Sequence, residues 1–210
     1  MSGAGQVKKA NADSGAKPDA PRRSLAFAAG APIYRIGAPG LAWRVERGSV
    51  RLDADGHSSE ACFASLSLPG DIIGSESMLF GSYAFSASAL THCELSPWPE
   101  GAPAAEGNSL LRSLAASQRR AAELVALRGG EALKRVTGLI RIMAGAVSED
   151  CTANVVLPTR KDIADITALR LETVSRIIKH LERSGMLHPV RVEGVHATRS
   201  FAVNFSQFAG

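Results

Sequence analysis

The sequence predicts an α+β fold: an N-terminal β-roll domain, one long helix, and a C-terminal winged helix-turn-helix domain. Three observations support this fold class. Short strand-like runs separated by turns extend to residue 98, a helical pattern begins near residue 108, and two short amphipathic helices follow near residue 170. We expect the chain to divide into a disordered arm (1–24), the β-roll domain (25–106), the long helix with a hinge (107–130) and the winged helix-turn-helix domain (131–210).

Bulk composition narrows the class of protein without naming a function. The chain has 210 residues, 45% of them hydrophobic, which is ordinary for a protein with a buried core. Its net charge of +4 permits nucleic-acid binding but does not demonstrate it. The three cysteines (Cys62, Cys93 and Cys151) form no zinc-type pattern, which favours thiols in a reducing compartment. With no apolar run of transmembrane length and no secretory leader pattern, we expect a cytoplasmic location.

The first 24 residues consist mainly of Gly, Ala, Ser, Pro and charged residues, with Val7 as the single branched apolar residue. Such a segment buries too little apolar surface to offset the entropy of ordering it. We therefore expect a disordered, solvated arm, although its cations could contact phosphate.

From about Leu25 to Trp98, short apolar runs alternate with turn residues. The runs predicted as strands include Pro32–Ile36, Leu41–Val45, Ser49–Leu52 and Cys62–Leu68. Hairpin turns are predicted at Arg47-Gly48 and Asp55-Gly56, and another sharp reversal at Pro69-Gly70-Asp71. Many short strands at this spacing are typical of a barrel or a double-sheet roll.

A connector and a long helix are predicted next. The connector spans Pro97–Asn108, and either Asn108 or Ser109 can cap the helix of about 20 residues that follows. An apolar seam along this helix suits packing against a second copy of the chain, and packing on its own β domain is the alternative. The seam residues are Leu110, Leu114, Ala121 and Val125, with Gln118 close beside them.

Gly129-Gly130 should interrupt the helix, since each glycine in a helix interior costs about 1 kcal/mol relative to alanine. We interpret the pair as a hinge that could let the two halves of the chain change their relative orientation. A second helical pattern then runs to about Gly145, with apolar positions at Leu133, Val136, Leu139, Ile140 and Met143.

The stretch Leu157–Leu187 has the pattern of two short helices joined by a tight turn. Thr159 and Asp162 predict a capping box at the start of the first helix, and Leu171 begins the second after a turn over residues 167–170. Ile163, Ile166 and the small Ala164 face inward on the first helix. One stripe of the second helix is apolar, at Val174, Ile177, Ile178 and Leu181. After Gly185, strands at Val190–Val192 and Phe201–Phe205 around Glu193-Gly194 predict a wing.

The opposite stripe of the second helix carries an acceptor, a hydroxyl and two cations, each able to reach a base edge or a phosphate. These residues are Glu172, Ser175, Arg176 and Lys179. From residue 151 onward, eight cations face five acids, so most of the positive charge of the chain lies in this segment. That concentration favours double-stranded DNA as a partner.

At these residues a family resemblance becomes plain. TRKDIADITALRLETVSRIIKHLERSGML resembles the DNA-binding domain of the CRP/FNR superfamily of bacterial transcription regulators. The upstream stretches IYRIGAPGLAWRVERGSVRL and LPGDIIGSESMLF resemble its β-roll sensor domain, which is of the cyclic-nucleotide-binding type. The resemblance covers about residues 30 to 205, in the family's order.

Within that family, Glu172, Ser175 and Arg176 match the Glu-x-x-Ser-Arg pattern of the FNR and FixK branches. The resemblance implies a homodimer that reads a palindrome with TTGAT-like half-sites, with RNA polymerase as a further partner. The chemistry agrees, because Arg176 can donate to guanine O6 and N7 while Glu172 accepts from a cytosine amino group. The backbone of the DNA would then be held by Thr159, Arg160, Arg170, Thr173 and Lys179.

Two positions depart from the family pattern. Ala168 stands where the family usually has glycine, so we expect the backbone there to avoid a strongly left-handed conformation. Arg170 stands where serine or threonine commonly caps the recognition helix. The helix should therefore begin less firmly, or Arg170 turns toward phosphate.

The signal sensed by the β domain is unknown from the sequence. Cyclic-nucleotide binders of the superfamily use a glutamate and an arginine where this chain has Ser75 and Phe85, and Glu76 nearby does not restore the arginine. A buried phosphate without its cation is costly, which argues against cAMP. The absence of cysteine from residues 1–61 argues against an N-terminal iron–sulfur cluster.

Other inputs stay open as alternatives. His57 and His92 are haem-ligand candidates, although no spacing singles either out, and Cys93 or Cys151 could act as a redox-sensitive thiol. We find no nucleophile elbow, P-loop, dinucleotide fingerprint or metal motif, so we expect no enzymatic activity. The alternative function is a small-molecule-binding module whose helix-turn-helix is vestigial or contacts protein.

Overall fold

The computed structural model describes residues 24–56, 61–99, 103–145, 152–190 and 199–205, without the side chains of residues 103–106 and 152. Its N-terminal part is a roll of two four-stranded antiparallel sheets, ordered β1-β8-β3-β6 and β2-β7-β4-β5. A short helix, α1 (Ser77–Phe80), follows β6. The strands are β1 (Leu25–Phe27), β2 (Pro32–Tyr34), β3 (Ala42–Arg47), β4 (Val50–Asp55), β5 (Ala61–Ser67), β6 (Ile72–Ile73), β7 (Ser86–Ala89) and β8 (Cys93–Trp98).

The core of the roll lies between the two sheets. Alternate strand residues such as Val45, Val50 and Leu95 are fully buried there. Tyr34 and Tyr83 stack in the same cluster with ring centroids 3.8 Å apart. The predicted double-sheet roll is therefore confirmed.

The predicted turns had different outcomes. The hairpin at Arg47-Gly48 is wrong, because β3 and β4 belong to different sheets and Gly48 instead carries the chain between them. An added Cβ at Gly48 would collide with the His92 carbonyl oxygen, and its φ is +81°, so glycine is needed for close approach. The β4–β5 hairpin around Asp55-Gly56 is confirmed by their antiparallel pairing, although residues 57–60 lie outside the described part. The reversal at Pro69-Gly70 is also confirmed, with a 3.0 Å hydrogen bond from Asp71 N to Leu68 O.

The long helix, α2 (Pro103–Ala126), begins earlier than predicted. Neither Asn108 nor Ser109 caps it, because both lie inside the helix. Proline suits a first helical position, where its fixed φ is already helical and its missing N–H costs nothing.

Two faces of α2 have opposite environments. The inner face packs on the β-roll: Ser113 and Leu124 are buried, and Leu110 contacts a cluster of Ala42, Ile72 and Trp98. The outer face leaves Leu111, Leu114 and Val125 exposed at 66%, 53% and 71%. The predicted seam therefore divides between the faces, because Leu110 turns inward while Leu114, Ala121 and Val125 stay exposed.

An ion pair fixes the inner face of α2. Arg120 donates to both carboxylate oxygens of Asp71 and, at 3.1 Å, to the Leu66 carbonyl. Both charged side chains are largely buried, at 12% and 6% exposed. The long helix is thereby tied to the β5–β6 turn.

The helix ends at Ala126, before Gly129-Gly130, as predicted, and α3 (Ala132–Ala144) follows. Gly130 has a φ of +78°, and α3 ends at Gly145 in the left-handed conformation. Arg135 bridges this junction, donating to Gly130 O at 3.1 Å and to Thr167 O at 3.4 Å. Hinge motion at the glycine pair stays a hypothesis.

The C-terminal domain is a winged helix-turn-helix. Helices α4 (Arg160–Thr167) and α5 (Leu171–Arg183) pack on each other and on α3, and α5 also packs on a three-stranded antiparallel sheet in the order β10-β11-β9. Those strands are β9 (Thr152–Val156), β10 (Leu187–Pro189) and β11 (Ser200–Asn204). No helix in the described ranges is long and apolar enough to span a membrane.

The sheet differs from the prediction in two ways. The first wing strand is β10, ending at Pro189, although Val190 N still donates to Ser200 O at 2.9 Å. β9 was not predicted, and it pairs with the whole of β11. The predicted strand end at Val192 and the turn at Glu193-Gly194 lie outside the described residues.

Candidate nucleic-acid interface

Helix α5 is sharply two-sided. Val174, Ile178 and Leu181 are buried at 0%, 3% and 0% exposure, and Ile177 is half-buried against the same core. On the opposite stripe Glu172, Arg176 and Lys179 are exposed, and Ser175 is half-buried between them. The predicted apolar and polar stripes are therefore both present, and the polar stripe is open to solvent.

The N-terminal end of helix α4 is capped and exposed to solvent. Thr159 caps it, since its Oγ1 accepts from Asp162 N at 3.1 Å. The Thr159 hydroxyl also donates to Asp162 Oδ2 at 2.5 Å, which replaces the backbone contact of a full capping box. Thr159 and Arg160 are exposed, so both predicted phosphate contacts are accessible. We call α4 and α5 together the reading pair.

The turn of the reading pair corrects one expectation. Ala168 adopts the left-handed conformation, with φ +52° and ψ +43°, so the expectation that its backbone avoids this region is wrong. The strain is tolerated because the amide of Ala168 closes α4 and Leu169 N donates to Ala164 O at 3.0 Å. Buried Ile163 and Ile166, with Ala164 between the helices, hold the two helices in place. Packing thus overrides the local preference of alanine.

Arg170 occupies the N-cap position of α5 in extended conformation, with φ −75° and ψ 147°, and its side chain makes no cap hydrogen bond there. The side chain is exposed, as predicted for a phosphate contact, and Thr173 one turn on is half-buried. Glu172 lies in the first turn, while His180 and Arg183 lie in the last turn, which complements the helix dipole.

A groove of about 410 Å³ lies next to the N-terminal end of α4. Thr159, Arg160 and Arg199 line its polar side, and its floor is apolar. Arg199 is already engaged, since its Nε donates to Leu157 O and its Nη2 to Leu90 O, both at 2.9 Å. This cation therefore links the wing sheet to the β-roll.

One charged contact of the reading pair was not predicted. Arg51 on β4 donates through Nη1 to Asp162 Oδ1 at 3.2 Å and to Asp165 Oδ2 at 3.0 Å. Burial lowers the pKa of the Arg51 guanidinium, but its hydrogen bonds and charge interactions with Asp53 and Asp165 outweigh burial and raise the pKa above its ordinary value. No local pattern could reveal partners 111 and 114 residues away in sequence.

Comparison with known proteins agrees with this architecture. Residues 118–197 match the family model of the Crp-like helix-turn-helix domain. The chain is 34% identical over 172 residues to the nitrogen fixation regulation protein FixK of Bradyrhizobium diazoefficiens, covering 70% of this chain and 69% of that protein. The chain belongs to the CRP/FNR family.

Further comparisons extend the likeness to most of the chain. The transcriptional regulator SdrP of Thermus thermophilus is 29% identical over 175 residues, which cover 79% of this chain and 85% of SdrP. A CRP/FNR-family regulator of known structure, also from Thermus thermophilus, has a similar fold, with a TM-score of 0.61 at 22% identity, covering 86% of this chain and 93% of that one. This CRP/FNR protein is accordingly a transcription regulator.

In this CRP/FNR protein two stacked tyrosines, Tyr34 and Tyr83, form part of the core of the β-roll. The Tyr83 hydroxyl donates to Leu41 O at 2.6 Å, and its ring packs tightly against Gly40 and Gly74. The Tyr34 hydroxyl is buried without a partner in the described part of the chain, and burial raises its pKa. At the positions compared with cyclic-nucleotide binders, Ser75 and Phe85 are half-buried.

The remaining sensor candidates occupy different environments. His92 and Cys62 are exposed, whereas Cys93 is buried, and its thiol donates to Ser49 O at 3.1 Å. Within the described ranges no group of three or more His, Cys, Asp or Glu residues could hold a metal ion. His57 and Cys151 lie outside the described residues.

Proposed function

We propose that this transcription regulator binds, as a homodimer, a DNA palindrome with TTGAT-like half-sites. The observation that carries the proposal is the polar stripe of α5, where Glu172, Ser175 and Arg176 lie on the solvent side of a helix whose other face packs against the core. Such a helix fits the major groove, and these three side chains supply an acceptor, a hydroxyl and a bidentate donor for base edges.

The contacts to the DNA backbone follow from the surroundings of the stripe. We assign the phosphate contacts to Thr159 and Arg160 at the start of α4, to Arg170 and Thr173 at the start of α5, and to Lys179 further along α5. Hydroxyls, cations and helix N-termini all suit phosphate. Phosphate contacts of this kind fix register, while the base contacts select sequence. RNA polymerase remains a proposed partner through the family resemblance.

The homodimer is supported by the outer face of α2. Leu111, Leu114 and Val125 are exposed there, with Ala121 between them at helical spacing. The inner face already binds the β-roll, so a second helix is the natural cover for the outer one. A two-fold axis along α2 would present two reading pairs to a palindrome.

A competition gel shift tests this proposal. Labelled TTGAT palindrome is bound by the full chain at moderate salt and challenged with unlabelled palindrome or a scrambled duplex of equal composition. We expect the palindrome to compete at least roughly a thousandfold better than the scrambled duplex, which is the lower end of the range for specific over non-specific binding. Equal competition would overturn sequence-specific recognition and favour a module whose helix-turn-helix contacts protein.

Sedimentation of the full chain tests the dimer. We expect the wild-type chain to sediment as a dimer and Leu114→Glu as a monomer.

A further inference from the structure

The side chain of Arg51, on β4 of the β-roll, contacts helix α4 of the reading pair. Its Nε donates to Asp53 Oδ1 at 2.7 Å on the same strand, which holds the guanidinium in position. Its Nη1 donates to Asp162 and Asp165 on α4. The side chain is only 11% exposed, and its guanidinium lies 5.6 Å from the centroid of the Phe63 ring. This cation is therefore preorganised, unlike the side chain of an ordinary surface ion pair.

The contact is continuous with the predicted phosphate site. Asp162 binds Arg51 through Oδ1 and the Thr159 hydroxyl through Oδ2. Thr159 caps the helix end that we propose to meet the DNA backbone. A single carboxylate thus connects a β-roll cation to the edge of the DNA-binding surface.

A second contact crosses the same junction in the opposite direction. Arg199, next to β11, donates to the carbonyl of Leu90 in the β-roll. Beneath both arginines, Phe63, Leu66 and Leu90 of the β-roll belong to one apolar cluster with residues of α3, α4 and α5. The reading pair is therefore seated on the β-roll by apolar contact and oriented by directional bonds.

We propose that Arg51 is a positioning residue for DNA recognition, which fixes the orientation of the reading pair on the β-roll and thereby the half-site spacing that the dimer accepts. This inference rests on the proposed function. A dimer reads two half-sites about one helical turn of DNA apart, so its two winged helix-turn-helix domains must be held at a set distance and angle. Contacts between the β-roll and the reading pair set that angle, and Arg51 makes the charged, directional contact among them.

The experiment compares two palindromes that differ by one base pair inserted between the half-sites. The ratio of their dissociation constants is measured for the wild-type chain, Arg51→Ala, Asp165→Asn and Arg51→Lys. A change in net charge alters binding to both duplexes alike, so it cancels in this ratio. Asp162 is left unchanged because it also serves the Thr159 cap.

We expect the wild-type chain to prefer the uninserted palindrome and Arg51→Ala to reduce that preference about five- to tenfold. Asp165→Asn, at a 40% exposed position, should reduce it in the same direction without risk to folding, and Arg51→Lys should restore part of it. The double variant Arg51→Ala/Asp165→Asn should be no worse than Arg51→Ala alone, since both changes break one contact. Arg47→Ala is the matched control, because it removes a 77% exposed cation from the preceding strand, β3. It should leave the ratio of the two dissociation constants unchanged.

Three results would overturn the inference. The ratio could be unchanged in both Arg51→Ala and Asp165→Asn while the wild type still selects the palindrome, so that Arg51 serves stability alone. Arg51→Ala could instead bind the uninserted palindrome more tightly, which would mean that the contact holds the reading pair away from DNA. If the wild-type chain itself failed to select the palindrome over scrambled DNA, the proposed function would fall and this inference with it.

Discussion

The two helices of the reading pair differ in the partners of their charged side chains. On α5, Glu172, Arg176 and Lys179 face solvent, and no ion pair joins them to another described residue. On α4, Asp162 and Asp165 are joined to Arg51 of the β-roll. Charges satisfied within the chain hold the domains together, whereas charges left in solvent are available to a partner. Substitutions on the exposed stripe of α5 should therefore change base discrimination. Breaking the Arg51 contact should change the half-site spacing that the dimer accepts, and breaking the buried Arg120–Asp71 pair should change stability.

The largest expected effect concerns the most buried of the internal ion pairs. Arg120→Ala leaves Asp71 buried without its cation, so we expect a loss of about 3–5 kcal/mol in the free energy of unfolding. Urea denaturation followed by circular dichroism at fixed protein concentration measures this loss. Arg119→Ala, at a neighbouring side chain 81% exposed, is the control and should change stability by less than about 0.5 kcal/mol. Equal denaturation midpoints for the two variants would contradict a structural role for the Arg120–Asp71 pair.

Arg176→Ala should have the reverse profile. We expect a loss of about 1–3 kcal/mol in discrimination between the palindrome and a duplex changed at one guanine, because this change removes the side chain that we propose as the bidentate donor to guanine. The unfolding free energy should stay within about 0.5 kcal/mol of wild type, since Arg176 is exposed. Fluorescence-anisotropy titrations on both duplexes provide the measurement.

Lys179→Ala is the matched control for Arg176, because it removes a cation from the same stripe one turn away. It should weaken binding to all sequences alike and lower the salt slope by about 1. If Arg176→Ala kept the wild-type preference between the duplexes, Arg176 would not be the base-reading residue.

The two described cysteines provide a smaller test, on the sensor side. Burial raises the pKa of the Cys93 thiol, partly offset by its hydrogen bonds to Ser49 and Thr91, so it stays protonated at neutral pH. Since the thiolate is the reactive form, Cys93 should be alkylated by iodoacetamide at pH 7.5 on the order of tenfold more slowly than exposed Cys62. Peptide mass spectrometry over a time course measures both rates. Equal alkylation rates for Cys93 and Cys62 would favour Cys93 as a redox-sensitive thiol.

The smallest effect concerns the turn between the reading helices. Ala168→Gly removes a left-handed strain of about 1–2 kcal/mol and adds about 0.5–1 kcal/mol of backbone entropy cost, so we expect a net gain of about 0.5 kcal/mol in stability. Ala164→Gly, inside α4, should instead lose about 1 kcal/mol. Denaturation curves of the two variants should therefore shift in opposite directions, and a shared direction would show that Ala168 is unstrained.

Local patterns in the sequence were sufficient for the starts of the two reading helices and for their buried faces. The Thr159 cap, the start of α5 at Leu171 and the burial of Val174, Ile178 and Leu181 follow from residue spacing, because these features depend on neighbours within one helical turn. The same holds for the break at Gly129-Gly130 and for the end of α3 at Gly145.

The remaining features depend on partners distant in sequence. Whether Arg47-Gly48 closes a hairpin or joins two sheets depends on which strands pair, which residue types do not determine. Strand β9 is only five residues long, and it exists because β11 pairs with it. Ala168 shows the limit even for a local rule, since the packing of two helices overrides the preference of one residue. The start of α2 at Pro103 was missed because a Pro- and Gly-rich stretch also fits a connector.

The apolar cluster beneath Arg51 and Arg199 determines how the protein unfolds. Phe63, Leu66 and Leu90 belong to the same cluster as Val136, Ile166 and Leu181, so neither part can unfold without exposing the core of the other. The chain should therefore melt in a single cooperative transition, although it recognises DNA through one small domain. An excised fragment beginning near residue 131 would expose apolar surface that the intact chain conceals. DNA binding is therefore assigned to one domain of this protein, whereas folding depends on both domains.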